Sequence, residues 1–493
     1  MSEQSALIAK VVVLAAYACL VVVIGIIGAR KMKSFNDFLL GGGKVGPWMS
    51  AFSYGTAYFS AVLFIGVAAK VGWNFGLSGL WISLGNTLVG VVCVWYFIAR
   101  KVKNYAVAHN VSTMPELLEH RYSSKFLKIF TAACIFVFFV PYTAAVFMGL
   151  SYLFETTFGL NYALMLTIMV IFTGVYLVLG GYRSMAIVDV IFGVTMILGV
   201  IVLFYTTLSS AGGMGKVVDK LSAIDTDLSS VFGGDIWSLL AFTGLLSIAP
   251  VAMPQLVQKF YAIRDERSIR IGMFASAFFA IIVTGVAYFT GALTRLFVTI
   301  DGNPDAFDKA GTPIFDRLMP ELLNTAIPQV LSIVILLLIL SASMSTLAAL
   351  VLISSSTVTK DMYQGVFRSD APDKTLTRLV RVSSVVFLLL AMGLALWRPA
   401  VIMTILTISW AAIAAVFLGP FIWALYSRRV NAAGAITGSV CALIVVIVLA
   451  VVFGKAYIPK ASCIAMAVSV ALPPLVSFIV PDKRAMASIP PSE

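Results

Sequence analysis

The sequence predicts an all-α polytopic membrane protein with about 13 transmembrane helices. Hydrophobic residues make up 60% of the 493 positions and charged residues only 11%, which is far from the balance of a soluble globular protein. Apolar runs of about 20 residues recur along the whole chain, and each is long enough to cross the hydrocarbon core of a bilayer. The charged residues collect in the stretches between these runs, as expected for loops.

The apolar runs define the candidate spans in chain order. The first run, Leu7 to Ile27, is too long for the core of a signal peptide and lacks a small-residue cleavage site, so we expect it to remain as a helix. The predicted spans are 6–29, 47–70, 77–99, 127–153, 161–180, 185–209, 237–258, 272–296, 328–356, 380–397, 400–426, 432–454 and 460–480.

Charge asymmetry between the loops predicts the orientation in the cell membrane. Most of the 34 Lys and Arg residues fall in the loop after the first span and in every second loop thereafter. One of these basic loops, after the seventh span, is predicted to hold Lys259 and Arg264. The positive-inside rule then places the N-terminus outside and the C-terminus inside. This rule also accounts for the net charge of +12 without a nucleic-acid partner.

Few side chains suited to catalysis are available. The five cysteines lie within apolar runs without paired spacing, which indicates neither a disulfide framework nor a metal site. The two histidines, His109 and His120, lie in one polar loop, which argues against a histidine-based metal or catalytic centre. An intramembrane enzyme would need a convergent set of acids, bases or nucleophiles. We therefore expect a protein that is not an enzyme and that has no organic cofactor.

Two predicted spans carry signs of a broken helix. In the second span, Gly55 and several hydroxyl-bearing residues fall at the expected midpoint of the membrane. In the seventh span, Pro250 and Pro254 each remove a backbone donor and push against the preceding turn. Interrupted spans five apart are typical of two inverted five-helix repeats that frame a substrate site at the membrane midplane.

This pattern predicts a single transmembrane transporter domain, 1–484, with a five-plus-five inverted-repeat core. Its predicted parts are an extra N-terminal helix 6–29, a first repeat 47–209, a second repeat 237–426 and two C-terminal helices 432–480. We expect residues 485–493 to form a short cytoplasmic tail.

The ninth span contains a cluster of small hydroxyl side chains, which a lipid-facing helix would not need. They are Ser341, Ser343, Ser345 and Thr346. Each hydroxyl could bond back to the carbonyl four residues earlier or ease helix packing. Ser345 and Thr346, however, point about 100° apart and cannot both serve one packing face. They could instead offer two neutral oxygens to a small hard cation.

Asp189 is the only acid that we place inside a predicted span. An ionisable group within a membrane is costly, and it is therefore a candidate functional residue. The alternative is a carboxylate at the membrane interface that pairs with Arg183.

Several stretches of the chain together resemble one known family. They are FNDFLLGGGKVGPW before the second span, GTAYFSAVLFIG within it, VLGGYRSMAIVDV between the fifth and sixth spans, LSASMSTLAALVLISSSTVTKDMY in the ninth span and its exit, and SRRVNAAGAITG after the eleventh. From about Phe35 to Ala435 the chain resembles the sodium:solute symporters. This group includes the bacterial sodium/proline and sodium/pantothenate symporters and the sodium/glucose and sodium/sialic acid carriers.

The resemblance implies a site for co-transported Na+ between the second and ninth spans. Carried over by position, its ligands would be the backbone carbonyls of Thr56, Phe59 and Ala342 and the hydroxyls of Ser345 and Thr346. The resemblance also implies a role for Asp189 in gating and sodium release, and a role for Ser60 in binding the ion or the substrate.

The chain departs from the family pattern at three places. Tyr58-Phe59-Ser60 stands where the proline carriers have Asp-Met-Ser, Lys44 follows the glycine run where an arginine is common, and Phe192 replaces a glutamine. These departures concern the substrate and the inner gate, and they leave the ninth-span sodium ligands in place.

Candidate substrate-binding residues come from the broken spans and from the helices that face them. They are Tyr58, Ser60, Asn86, Tyr142, Pro254, Gln255, Ser409 and Trp410. No acid is placed to pair with a cationic substrate, so a neutral polar or carboxylate-bearing molecule fits better.

These observations predict a sodium-coupled secondary active symporter of the cell membrane. Its substrate would be a small polar organic solute, either an amino acid such as proline or a carboxylate such as pantothenate, imported by alternating access. Two alternatives are a sodium-dependent membrane sensor or receptor module and a carrier for a sugar-type substrate. Besides the solute and the lipid bilayer, we expect no obligate protein partner.

Overall fold

The computed structural model describes residues 3–29, 35–43 and 45–481. Within these ranges the protein is all-α, and its β features are two isolated bridges, Val45 with Ile263 and Phe307 with Pro313. The helices are α1 (Glu3–Ala29), α2 (Phe35–Leu40), α3 (Pro47–Tyr58), α4 (Ala68–Phe75), α5 (Leu80–Gly85), α6 (Arg100–His109), α7 (Met114–Tyr122), α8 (Lys125–Phe158), α9 (Tyr162–Ala211), α10 (Met214–Ile224), α11 (Ile236–Ile248), α12 (Pro254–Ala262), α13 (Glu266–Phe297), α14 (Phe315–Ala326), α15 (Gln329–Ser356), α16 (Asp373–Trp397), α17 (Ile402–Tyr426), α18 (Ala432–Phe453) and α19 (Ile458–Ile479). The predicted all-α class is confirmed.

Shorter helical segments connect or extend these helices. The π-helical ones are Val62–Val67 before α4, Asn86–Ala99 between α5 and α6, and Thr357–Phe367 after α15. The 3-10 turns are Gly41–Gly43, Gly76–Gly79, Thr226–Leu228, Ala249–Ala252, Pro304–Ala306 and Lys455–Tyr457.

Helix starts in the loops follow local capping rules. Thr113, Ser124, Asp265 and Asn431 each precede a helix and accept a hydrogen bond from a backbone N–H of its first turn. Such side chains satisfy donors that have no partner inside the helix. The sequence therefore fixes where α7, α8, α13 and α18 begin.

Among the described residues, 11 helical stretches are long and apolar enough to cross a bilayer, and one further apolar helix, Tyr162–Val175, is shorter. One of the 11, Val62–His109, joins part of the predicted second span to the third. Gly76 leaves the helical conformation inside it, with φ +56° and ψ −133°. Gly181 does the same inside α9, with φ +57° and ψ −178°. Glycine adopts such angles without a steric penalty. The number of 13 spans, the inverted-repeat boundaries and the orientation of the termini remain predictions.

Both predicted helix breaks are present. α3 ends at Tyr58, Phe59 is extended with φ −114° and ψ 110°, and helix resumes with Val62–Val67. In the seventh span, α11 passes into the turn Ala249–Ala252, and an extended residue separates that turn from α12. The prolines act here as the sequence predicts.

α15 lies at the centre of the bundle and packs against α3, α8, α9 and α16. Residues 338–356 of α15 are all buried within the protein. Its small polar side chains therefore contact other helices and not lipid. At such interfaces small residues allow close packing, and hydroxyls form interhelical hydrogen bonds.

One residue of the predicted basic loops is misplaced by the sequence analysis. Lys259 lies inside α12 with its side chain 0% exposed, whereas Arg264 follows the helix and is exposed. Four apolar or aromatic residues separate Lys259 from the basic run that begins at Arg264. That spacing is the signal that separates a buried lysine from a loop lysine. Lys44 and the predicted tail 485–493 lie outside the described residues.

Candidate functional site

The hydroxyls of α15 fall into two groups. Ser341, Ser343 and Thr346 bond back to the carbonyl four residues earlier, at 2.5, 2.7 and 3.1 Å. Each of these three makes the helix-internal bond that the sequence allows, and each also contacts a group outside α15. Ser345 is different, because its Oγ donates to Oδ1 of Asp189 at 2.6 Å.

Oxygen atoms from the end of α3 converge on Thr346. Its Oγ1 lies 3.3 Å from the carbonyl oxygens of Thr56 and Ala57 and 3.1 Å from that of Ala342. Carbonyls in the last turn of a helix have no partner within it, so those of α3 are available to other groups. Together these atoms form a set of neutral oxygens of the kind that a hard cation prefers.

The sequence-predicted sodium ligands are only partly assembled. Thr56, Ala342, Ser345 and Thr346 come together, and Thr56 Oγ1 also lies 2.7 Å from Ser345 Oγ. Phe59 is extended at the break. The contacts of Thr346 reach the carbonyl of Ala57, which the resemblance did not assign.

Asp189 is fully buried beside this set of oxygens. Its Oδ2 accepts a hydrogen bond from Ser53 Oγ at 2.5 Å, and its Oδ1 accepts one from Ser345. The expected alternative, a carboxylate at the membrane interface that pairs with Arg183, is wrong because the Asp189 side chain is 0% exposed. The carboxylate instead faces Lys259, whose Nζ lies 4.0 Å away.

The sequence reasoning missed the buried Asp189–Lys259 pair. Both side chains are 0% exposed, and Lys259 Nζ has no hydrogen-bond partner among the described residues. A buried charge is tolerated when an opposite charge lies beside it. Ser53, the second residue whose hydroxyl donates to Asp189, precedes Thr56 by about one helical turn. That spacing places both side chains on one face of α3.

Asp189 is not the sole buried acid of the described residues. Asp361, in the extension of α15, accepts a hydrogen bond from Thr113 Oγ1 at 2.6 Å. Asp316, in the short helix α14, accepts hydrogen bonds from the backbone N–H of Ile402 at the start of α17. Burial raises the pKa of Asp316 to about 7. Each of these acids ties its own helical segment to the start of another helix, α7 for Asp361 and α17 for Asp316.

A small cavity of about 30 Å³ lies beside the first helix break. It brings together five of the predicted substrate residues, namely Tyr58, Ser60, Asn86, Tyr142 and Trp410. Leu246, Tyr288 and Leu406 also line it, and no feature of the sequence singled them out. The space holds about two water molecules, so a larger molecule requires the side chains to move.

Aromatic rings form a large part of the cavity wall. The Tyr58 and Phe59 rings stack with their centres 4.2 Å apart, and Trp410 lies 6.1 Å from Tyr58 and 6.0 Å from Tyr142. The Tyr58 hydroxyl donates to the Leu246 carbonyl at 2.8 Å and so ties α3 to α11. All lining side chains are neutral, which disfavours a substrate with a net charge.

Three predicted substrate residues do not line this cavity. Pro254 lines a separate narrow space beside Thr113, because the turn Ala249–Ala252 carries the chain past the cavity before α12 begins. Gln255 is buried, and its amide has no hydrogen-bond partner within the described chain. Ser409 bonds back along its own helix, to the carbonyl of Ile405 at 3.3 Å.

A larger cavity of about 730 Å³ opens where α7 meets the extension of α15. Its walls include Glu116, Lys128, Lys360 and, from α12, Tyr261. Lys360 lies 3.2 Å from Glu116, and Lys128 lies 2.7 Å from Glu119. The polar vestibule therefore carries paired charges of both signs.

Chemically, the buried oxygens suit an alkali cation better than a transition metal. Across residues 3–29, 35–43 and 45–481, no group of three or more His, Cys, Asp or Glu side chains could hold a metal. The converging atoms at Thr346 are hydroxyl and carbonyl oxygens, which bind hard cations.

Comparison with known proteins gives a consistent result. The model of the sodium:solute symporter family matches residues 38–442. The high-affinity proline transporter PutP of Bacillus subtilis (strain 168) is 28% identical over 441 residues, which cover 87% of this chain and 89% of that protein. A sodium/proline symporter of Staphylococcus aureus (strain NCTC 8325 / PS 47) is 27% identical over 459 residues, covering 89% and 85%.

Solved structures show the same fold. A Na+-coupled sialic acid symporter in a substrate-bound outward-open state superposes with a TM-score of 0.81 at 17% identity, over 95% of this chain and 97% of that one. Mhp1, a nucleobase-cation-symport-1 family transporter, gives a TM-score of 0.54 at 15% identity, over 91% and 97%.

Proposed function

This chain is a multi-pass membrane protein of the sodium:solute symporter family, and from that premise we propose that it imports a small solute together with sodium. The observation that carries the proposal is the convergence of the Thr346 hydroxyl on the carbonyls of Thr56 and Ala57, with the Ser345 hydroxyl beside that of Thr56. Proline is the first candidate solute, since relatives that cover most of the chain are proline transporters.

In this proposal Thr346 and Ser345 bind the transported sodium with the carbonyls of Thr56 and Ala342. The Ser345 hydroxyl donates a hydrogen bond to Asp189, so the lone pairs of its oxygen can face the cation. Asp189 also places a negative charge next to the ion but does not itself coordinate the ion. One sodium ion that enters through 100 mV releases about 2.3 kcal/mol, in addition to its concentration gradient.

The cavity beside Tyr58 is the proposed solute site. Its lining holds aromatic faces for an apolar ring and the hydroxyls of Ser60 and Tyr142 for polar groups. The lining carries no charged side chain, so the charge of a solute carboxylate is best balanced by the sodium ion nearby. A zwitterion such as proline meets both requirements.

The two cavities support alternating access as the mechanism of this proposal. The solute site is closed to about 30 Å³, whereas the vestibule at α7 and Tyr261 is open and holds about 730 Å³. We assign the vestibule to the cytoplasmic side, because the loops around it belong to the basic set. Solute entry then requires the aromatic wall to open on the opposite side.

The transport assay uses the full chain reconstituted in vesicles, with radiolabelled L-proline outside and an inward sodium gradient. We expect uptake that collapses when choline replaces sodium and that unlabelled L-proline inhibits. Competition by other amino acids and small carboxylates ranks the solute. Proline uptake that is equal in sodium and choline would contradict sodium coupling.

Asp189→Asn tests the gating role in the same assay. The substitution keeps the shape of the side chain and removes its charge. We expect the maximal uptake rate to fall more than the affinity for the solute, because Asp189 contacts Ser345 and does not line the solute cavity. Unchanged kinetics would restrict Asp189 to a structural role.

A further inference from the structure

An apolar groove lies on the surface of the bundle, where the π-helical segment Asn86–Ala99, the turn Ala249–Ala252 and α17 meet. It holds about 390 Å³. Its walls include Cys93, Phe97, Val251, Ile422, Trp423 and Tyr426. Phe97 is 51% exposed and Tyr426 is 45% exposed, so the groove opens outward, toward the bilayer.

One end of the groove is basic. The π-helical segment is followed by Arg100 and Lys101, and α17 is followed within a few residues by Arg429. Lys101 Nζ lies 4.2 Å from the centre of the Tyr426 ring, which fixes it at the mouth of the groove. Arg100 is engaged by Glu266 at 2.8 Å.

The other two cations have no such partner. The ion pairs of the described residues include neither Lys101 nor Arg429, and both side chains belong to exposed residues. An apolar groove with Lys101 at its mouth, and with Arg429 close in sequence to the lining residue Tyr426, matches a molecule with a hydrocarbon chain and an anionic head.

We propose that this groove binds an anionic phospholipid, with one acyl chain along Phe97, Val251 and Trp423 and the phosphate group at Lys101 and Arg429. In the groove the acyl chain packs against a shaped apolar wall, in place of contacts with disordered bulk lipid. The head group then lies at the level where both helices leave the hydrocarbon region, as basic residues near a helix end favour.

The position of the groove links the lipid to the solute cavity. Two of these parts, the π-helical segment and α17, supply Asn86 and Trp410 to that cavity, and α11, which runs directly into the turn, supplies Leu246. Val251, in the groove wall, belongs to the turn that breaks the seventh span. A bound acyl chain therefore packs against the back of the second helix break and stabilises one arrangement of these three parts.

The first test measures lipid binding directly and does not depend on transport. Purified full-length protein in detergent is titrated with phosphatidylglycerol or phosphatidylcholine, and bound lipid is counted by native mass spectrometry. We expect tighter binding of phosphatidylglycerol. The double variant Lys101→Gln/Arg429→Gln should lower its affinity by about thirtyfold, the effect of two basic residues near one anionic lipid.

A matched control and a groove-filling variant complete the test. Lys374→Gln removes an exposed basic residue at the start of α16, away from the groove, and should leave phosphatidylglycerol binding unchanged. Val251→Trp should block the acyl chain and abolish the thermal stabilisation that phosphatidylglycerol gives the wild type. If Val251→Trp does not fold, Cys93→Trp fills the same groove from the neighbouring helix.

The outcomes separate clearly. Phosphatidylglycerol binding that equals phosphatidylcholine binding, or that is unchanged in the Lys101→Gln/Arg429→Gln variant, would overturn the proposal. Loss of phosphatidylglycerol binding in Lys374→Gln as well would show a general surface attraction and overturn it too. Since none of these measurements uses sodium or a solute, a failure here is distinguishable from a failure of the transport proposal.

Discussion

The two helix breaks of this protein are built differently. At the first, the backbone N–H of Ala61 donates to Ser343 Oγ at 3.1 Å, and Thr346 donates to the carbonyls of Thr56 and Ala57. Both partners come from α15. At the second, the chain satisfies itself, since Met253 donates to the carbonyl of Pro250 at 3.3 Å within the turn.

The first break therefore depends on contacts with another helix, whereas the second is stabilised within its own segment. At the first break α15 supplies both donors and acceptors, so polar atoms of two helices meet there. The second break is encoded by Pro250 and Pro254, which remove the donors that a continuous helix would need. We therefore expect substitutions at the first break to depend on α15, and those at the second to act locally.

The largest predicted effect concerns the pair that joins the two regions. Lys259, on the helix after the second break, faces Asp189, which holds Ser345 at the first. Removal of one partner leaves a buried unpaired charge, which costs about 3–5 kcal/mol. Lys259→Met and Asp189→Asn should each lower the free energy of unfolding by about this amount, measured by denaturation in detergent.

The double variant serves as the control for this pair. Lys259→Met with Asp189→Asn buries no unpaired charge, so it should be much more stable than the sum of the single effects requires. Additive single effects would contradict an interaction across the 4.0 Å gap.

A smaller effect is expected within the first break. Ser343→Ala removes the acceptor of the Ala61 N–H and should cost about 1–3 kcal/mol, the penalty for an unsatisfied buried donor. Thermal denaturation measures the loss. Ser355→Ala is the matched control. Ser355 is buried on the same helix, and its hydroxyl donates to the carbonyls of Val351 and Leu352 within that helix. Equal stability of the two variants would show that the Ser343 hydroxyl does not stabilise the first break.

The smallest effect is expected at the second break. Pro254 is the first residue of α12, where proline fits without strain. Pro254→Ala should cost only about 0.4–1 kcal/mol, through the greater freedom of the unfolded chain. A loss larger than that of Ser343→Ala, measured in the same denaturation series, would reverse the comparison between the two breaks.

Most of the fold was predictable because its signals are local. Apolar run length gave the helices, and Pro250 and Pro254 marked one break within a few residues. The α-helical class and both breaks are confirmed. Gly76 and Gly181, which leave the helical conformation, fall within the predicted loops 71–76 and 181–184.

The candidate site was predictable where it depends on backbone and hydroxyl oxygens. Thr56, Ala342, Ser345 and Thr346 come together because two helices meet at fixed positions. Lys259 was missed, because burial of a lysine depends on a partner carboxylate from a distant part of the chain.

The solute cavity was predicted less completely, for a related physical reason. Tyr288 and Leu246 reach it from α13 and α11, and no periodicity in one helix indicates which neighbour its aromatic or aliphatic side chains will touch. Long-range packing decides such contacts.

We propose that the sodium site lies between the first break and α15. The most direct measurement is a sodium titration of thermal stability for the purified protein, because an ion that binds only the folded state raises stability whatever the solute. Ser345→Ala and Thr346→Val should each raise the half-saturating sodium concentration about ten- to a hundredfold, the loss of one oxygen partner, while Ser355→Ala should match the wild type. Unchanged half-saturation in both site variants, with normal folding, would contradict the account and place the ion elsewhere.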